Sequence, residues 1–212
     1  MPVMARGREA WQRLYSRRGY HYGGEGDLSL LEPYLGPDML VLDAGCGDGK
    51  STQRLAKFSE VVGADYSREG LLSLRSQRAP DRYVNLVVCN ILSLPFESEK
   101  FDAVVCVHTL SHMSERERRA AASELVRVLA PGGHVMLEGF GVGDIRFGRG
   151  ETIEDASFLR GDGVVTHYFR RGEMASLFPQ LELVKELNPQ RRVSFGTASG
   201  RRDVLRVLMR RT

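Results

Sequence analysis

Short apolar stretches alternate with helical patterns along this chain. An apolar run from Met39 to Leu42, then Val61 to Asp65, Tyr83 to Cys89, Phe101 to Val107 and His134 to Glu138, each bounded by turn formers, predict five strands. Phe101 to Val107 is apolar almost throughout, as in a strand covered on both faces of a parallel sheet. Between the strands, a helix starts at about Ser51. Ser67 caps another over residues 68–78, with Leu71, Leu72 and Leu74 on its apolar face and Pro80 at its end. Ser114 followed by Glu117 forms a capping box, and Ala121, Leu125, Val128 and Leu129 recur at helical spacing, so residues 115–129 are the best-marked helix.

The ends of the chain are less regular. Residues 5–17, with Trp11, Leu14 and Tyr15 among arginines, suit an amphipathic helix, and residues 27–35 a short one. Between them, residues 18–26 are rich in glycine and aromatics; this loop reads either as a lid placing Tyr20 over a ligand or as a tyrosine-anchored surface loop. From Gly139 to Gly163 the pattern dissolves into glycine, charge and scattered hydrophobics, which predicts a functional insertion or lid over residues 139–170 on the substrate side. A short strand or extended loop at 164–169 and a helix at 172–178 follow. Two last strands, Leu181 to Leu187 and Asp203 to Arg210, are joined by a basic connection. One domain over residues 1–212 is expected, with residues 1–38 as a helical cap and loop.

At 212 residues, 42% hydrophobic and 27% charged, the composition is that of an ordinary globular protein. Neither a membrane span nor a secretory leader is expected, and the cytoplasm follows by default. Cys46, Cys89 and Cys106 lack paired-ligand spacing, so they are expected to be reduced and without metal. The net charge of +3 says little, but arginines collect near the C-terminus: Arg191, Arg192, Arg201, Arg202, Arg206, Arg210 and Arg211. Such a cluster reads as a solvated face or as a track for phosphates.

Chemistry concentrates at Val41-Leu42-Asp43-Ala44-Gly45-Cys46-Gly47-Asp48-Gly49-Lys50. A strand ending in an acid, three spaced glycines and a helix start make a tight turn whose bare backbone admits a ligand, with helix N–H groups facing it. Asp65 closes the next strand about 20 residues later, the spacing that places a carboxylate on ribose hydroxyls. A nucleotide-like cofactor is the expected occupant. His108 and His112 follow the fourth strand on the edge where open α/β sheets bind ligands, and each reads as a general base or as a structural histidine bonded to backbone. His167 and Tyr168 are further candidates.

The order of Val41 to Gly49, Val61 to Asp65, Asn90 to Phe96 with Phe101-Asp102, and Arg127 to Gly133 resembles the class I S-adenosylmethionine-dependent methyltransferases of the domain 11 type. The resemblance implies a Rossmann-like α/β fold. Its seven-stranded, mostly parallel sheet has one antiparallel C-terminal strand and helices on both faces. It implies S-adenosylmethionine as cofactor. Gly45, Gly47 and Gly49 would approach it, with Asp43 near the methionyl end, Asp65 on both ribose hydroxyls, Asn90 on the adenine amino group, Ile91 against the base and Val107 beside the sulfonium. Methyl transfer is then an in-line displacement that asks mainly for alignment, and a base is needed only where the acceptor atom carries a proton. A small molecule held under the 139–170 insertion is the leading acceptor. Transfer RNA on the C-terminal arginines is the alternative, since the tail has a thin resemblance to wobble-uridine methyltransferases. A non-catalytic cofactor-binding partner subunit is a third reading. A nicotinamide oxidoreductase fits poorly, because the third glycine comes too soon for G-x-G-x-x-G and no Tyr-x-x-x-Lys pair is present.

Overall fold

The computed structural model describes residues 3–18, 27–77, 84–195 and 198–212, so the Tyr20 loop lies outside the described residues. Strands β1 (Leu40–Ala44), β2 (Glu60–Asp65), β3 (Val84–Val88), β4 (Phe101–Val107) and β5 (Leu129–Phe140) pair in parallel in the order β3-β2-β1-β4-β5. The change of direction at β1 creates the switch point at which open α/β sheets take ligands. Helices α1 (Val3–Arg18), α2 (Thr52–Leu55), α3 (Arg68–Ser76) and α4 (Glu115–Val128) precede or connect these strands. Caps form as the side chains dictate: the Ser67 hydroxyl accepts from Gly70 N–H, and Ser114 and Glu117 complete a reciprocal capping box.

Burial explains why the strands lack alternation. Leu42, Ala44, Val104, Cys106, Val135 and Leu137 pack into the layer under α4. Their neighbours Val41, Ala103, Val105 and Met136 pack on the opposite face with Leu28, Leu31 and Leu55. Both pleats are apolar because both faces are covered. Leu125 of α4 is fully buried, a burial worth about 1.5–3 kcal/mol for a leucine side chain.

Beyond β5 the structure adds to the expectation. Residues 139–163 are not wholly irregular: β7 (Ser157–Leu159) lies between β6 (Glu151–Glu154) and β8 (Val165–His167) in a separate three-stranded antiparallel sheet. After the single-turn α5 (Glu173–Ser176) come β9 (Glu182–Leu187), β10 (Gln190–Phe195) and β11 (Ala198–Arg210). The basic connection is therefore a hairpin, since β10 pairs with the first half of β11, while the second half lies antiparallel between β5 and β9. Among the described residues the sheet has eight strands, β10 included, and β11 runs against β5.

Two local expectations change. Residues 27–35 form a turn and a 3-10 segment at Glu32–Tyr34, because Pro33 has no N–H with which to extend a ladder. The Pro131-Gly132-Gly133 turn is a bulge inside β5: Phe101 pairs with Leu129, but Ala103 with His134. Among the described residues no helix is long and apolar enough to cross a membrane.

Candidate functional site

The C-terminal ends of β1, β2, β4 and β5 open on one cleft of about 810 Å³, with Trp11, Leu14 and Tyr15 of α1 on another wall. Gly45 and Cys46 N–H both donate to the Ala64 carbonyl, at 2.7 and 3.1 Å, which folds the β1 turn back against β2. Gly45 has φ +81° and Gly47 φ +54°, in the left-handed region that favours glycine. A Cβ at Gly45 would sit 2.1 Å from Thr109 Oγ1, and one at Gly47 would sit 2.3 Å from Tyr15 Oη. Both positions line the cleft with main chain. Gly49 does not line it. It lies under α3, where a Cβ would stand 2.1 Å from Leu74 Cδ1, so its smallness serves helix packing.

Asp65 is 8% exposed; Oδ2 accepts from Gly47 N–H and Oδ1 from Ser67 N–H, each at 2.8 Å. Tyr66 N–H adds a third backbone donor, and the carboxylate lies on the cleft wall beside Gly47. Burial pushes this carboxyl upward, and the backbone donors oppose that shift. Asp43 is wholly buried, takes the Thr52 hydroxyl at 2.6 Å and is pushed up to about 7 by burial. It therefore ties the strand end to the first residue of α2. Asn90 Oδ1 accepts from Leu92 N–H at 3.1 Å, a turn role that leaves a lone pair; Asn90, Ile91 and Val107 all line the cleft. Bare backbone beside an anchored carboxylate fits an adenosine-bearing group.

The far end of the cleft is built from His108, Glu138, Phe140 and arginines. His108 follows β4 with φ +59°, an uncommon conformation for a residue with a side chain. Its Nε2 lies 3.2 Å from Glu138 Oε1, and Nδ1 is enclosed without a hydrogen-bond partner. The facing carboxylate holds the proton on Nε2 and leaves the lone pair on Nδ1. Arg206 Nε and Nη2 donate to Glu138 Oε2 at 2.8 and 2.6 Å, and its Nη1 to Asp27 at 2.7 Å. Burial pushes the Glu138 carboxyl up, but His108 and Arg206 outweigh it and hold it at about 2.

The other candidates serve differently. His112 Nδ1 bonds the Val165 carbonyl at 2.8 Å, and its ring packs edge-on against Trp11 at 4.8 Å. A carbonyl only accepts, so Nδ1 carries the proton. Burial drives the pKa down to about 3, too low for an effective base near neutrality, and the structural reading of His112 prevails. His167 is spanned by Ser157 and Glu173 at 2.8 and 2.6 Å, outside the cleft lining, as is the buried Tyr168. The C-terminal basic cluster also divides. Arg206 is 6% exposed in its ion pair and Arg211 is held by Glu99 and the Leu129 carbonyl, whereas Arg191, Arg192 and Arg201 are exposed.

Sequence reasoning missed Glu138, Phe140 and Arg146 as site residues and named Arg206 only as one of the C-terminal basic cluster. Two of them carried a sign. An arginine inside Val204-Leu205-Arg206-Val207-Leu208 and a glutamate closing Val135-Met136-Leu137 are charges in buried strands, which require partners.

Comparison with known proteins agrees with this geometry. Residues 41–133 match the methyltransferase-domain family. The tRNA N(3)-methylcytidine methyltransferase Mettl2 of Drosophila melanogaster is 28% identical over 173 residues, covering 76% of this chain and 52% of that protein. A probable tRNA methyltransferase 9B of Mus musculus is 38% identical over 102 residues, covering 48% of this chain and 22% of that protein. The chain thus spans about half or less of the length of these relatives. Among solved structures, a SAM-dependent methyltransferase from Methanosarcina mazei has a TM-score of 0.71 at 24% identity, covering 86% of this chain and 96% of that one. The N-methyltransferase NodS of Bradyrhizobium japonicum, in complex with S-adenosyl-l-homocysteine, has 0.72 at 17%, covering 96% and 97%.

Proposed function

We propose that this chain, whose residues 41–133 match the methyltransferase-domain family, moves a methyl group from S-adenosylmethionine onto a nucleotide of RNA. The observation that carries the acceptor is the hairpin: Arg191 faces Arg202 and Arg192 faces Arg201 across β10 and β11. Like charges directly opposite are destabilising, so two stacked pairs beside the cleft call for an anionic partner of more than one charge. The likeness to the Drosophila relative supports the same reading, since at 76% of the chain it extends well beyond the 41–133 core.

When bound, S-adenosylmethionine supplies an electrophilic methyl on a sulfonium. The chain's own residues then do three things. Gly45, Gly47 and Asp65 hold the adenosine end, Val107 and the turn after β4 border the reacting centre, and α1 with Trp11 limits water. Where the acceptor atom carries a proton, His108 Nδ1 takes it, and Glu138 stabilises the imidazolium that results. Asp43 keeps the turn closed through Thr52.

A small-molecule acceptor is the second reading, favoured by the β6–β8 sheet, which is bonded to the rim of the cleft through His112 and Val165. Radiolabelled donor tested against a total RNA fraction and a small-molecule fraction separates the two. Label is expected in RNA, weakening with salt at a log–log slope of about −2 for Arg191, Arg192 and Arg201, the exposed arginines of the hairpin, on single-stranded RNA. Label confined to small molecules, without salt dependence, overturns the RNA reading. Asp65→Ala is expected to abolish the calorimetric signal of S-adenosylhomocysteine.

A further inference from the structure

Phe140, at the end of β5, carries polar groups whose valences the fold leaves open. His108 stacks on its ring at 4.1 Å and 12°, and the Arg146 guanidinium carbon stands 4.2 Å from the same centroid. His108 Nδ1 and Arg146 Nη2 are both enclosed, and neither has a hydrogen-bond partner. Buried polar atoms are nearly always satisfied, so two open valences around one ring, in residues that line the cleft, point to a ligand. The charges identify its class. Asp144, 3% exposed, accepts from Arg146 Nε at 2.9 Å through Oδ1 and faces Arg202 Nε at 3.4 Å through Oδ2. One carboxylate thus faces two guanidiniums. Arg191, opposite Arg202 in the hairpin, adds another, while Arg160 is paired with Asp162.

We propose that Arg146 and Arg202, fixed by Asp144 against Phe140, form a phosphate subsite beside His108. It would grip a phosphate adjoining the base to be methylated and so present that base to the methyl group. This rests on the reading of the chain as a methyltransferase with an RNA acceptor and adds the group by which the acceptor is held. Guanidinium suits phosphate because its planar donors meet two oxygens at once. Arg146 is well prepared for this role: its Nε and backbone N–H are both bound to Asp144 Oδ1, which orients the fork before any ligand arrives. Burial and the nearby Arg146 both depress the Arg202 guanidinium, which a bound anion would relieve.

The test uses Trp11, the one tryptophan of the chain, which lines the same cleft. With the protein saturated in S-adenosylhomocysteine, its fluorescence is titrated with cytidine, cytidine 5′-monophosphate and the dinucleotide CpC, and with inorganic phosphate as competitor. A phosphate-bearing probe is expected to bind at least about tenfold more tightly than cytidine, the value of one charge-assisted contact. Preference for CpC identifies a backbone phosphodiester as the source, and preference for the monophosphate a free phosphomonoester; either supports the subsite. Arg146→Gln is expected to erase the preference while S-adenosylhomocysteine still binds, and Arg202→Gln serves if that variant does not fold. Equal affinity for all three probes, or a preference that survives both substitutions, overturns the subsite while the cofactor reading stands. A wild-type chain that does not bind S-adenosylhomocysteine would strike the parent reading and this one together.

Discussion

Replacing Glu138 by glutamine tests the centre of the site with little change in shape. In the folded chain this carboxylate is 9% exposed and sits between His108 and Arg206, which lower its pKa from the ordinary 4.5 to about 2 despite burial. A carboxyl with a depressed folded pKa contributes stability that is present above about pH 4.5 and lost as the pH falls toward 2. That depression corresponds to about 3 kcal/mol at pH 7 and to roughly half as much at pH 3. Glu138→Gln removes that contribution and leaves Arg206 with Asp27, itself half exposed at 52%, as its remaining carboxylate. Urea unfolding of both proteins at pH 7 and pH 3 is the measurement. The wild-type advantage should be about 3 kcal/mol at the higher pH and fall by about half at the lower. A gap that stays constant across this range would show that Glu138 acts through packing rather than charge.

Other perturbations probe the cleft from different sides. Gly45→Ala forces a Cβ to within 2.1 Å of Thr109 Oγ1 at a φ of +81°; chemical unfolding should show a loss of about 2–4 kcal/mol and calorimetry a weaker S-adenosylhomocysteine signal, and a wild-type midpoint would contradict the tight turn. His112, with its pKa near 3, should show no imidazole titration by NMR between about pH 5 and 8; a midpoint near 6.5 would break the buried, singly protonated assignment.

What could be read before the structure was what a single segment encodes. The β1, β2 and β4 strands announced themselves as apolar runs because both faces are covered, and α4 because Ser114 and Glu117 mark its start. β6 and β7 were hidden because strands of three and four residues are too short to establish alternation, and only β8 was expected, as a short strand or extended loop. β10 was hidden for another reason: Arg191, Arg192 and Ser194 are exposed, and Val193 and Phe195 alone are too few to mark an inner face. The far end of the cleft was least visible, since the Glu138 to Arg206 contact joins positions 68 residues apart and Asp27 lies 179 residues from Arg206. Gly49 shows the converse, a motif position whose type was right and whose neighbour, Leu74, lay on a helix not suspected of touching it.

The long final strand also works as a measuring rod. Arg202, Val204 and Arg206 point to the cleft as every second residue of β11, and Leu205 and Val207 point to the core. At about 3.3 Å per residue, the anchors Arg202 and Arg206 stand roughly 13 Å apart along one rigid edge. Gaining or dropping one residue between them would turn one anchor inward and carry an aliphatic side chain out. Changes of length should therefore be punished here far more severely than changes of residue type, so alternative acceptors are better sought by redesigning side chains than by grafting loops.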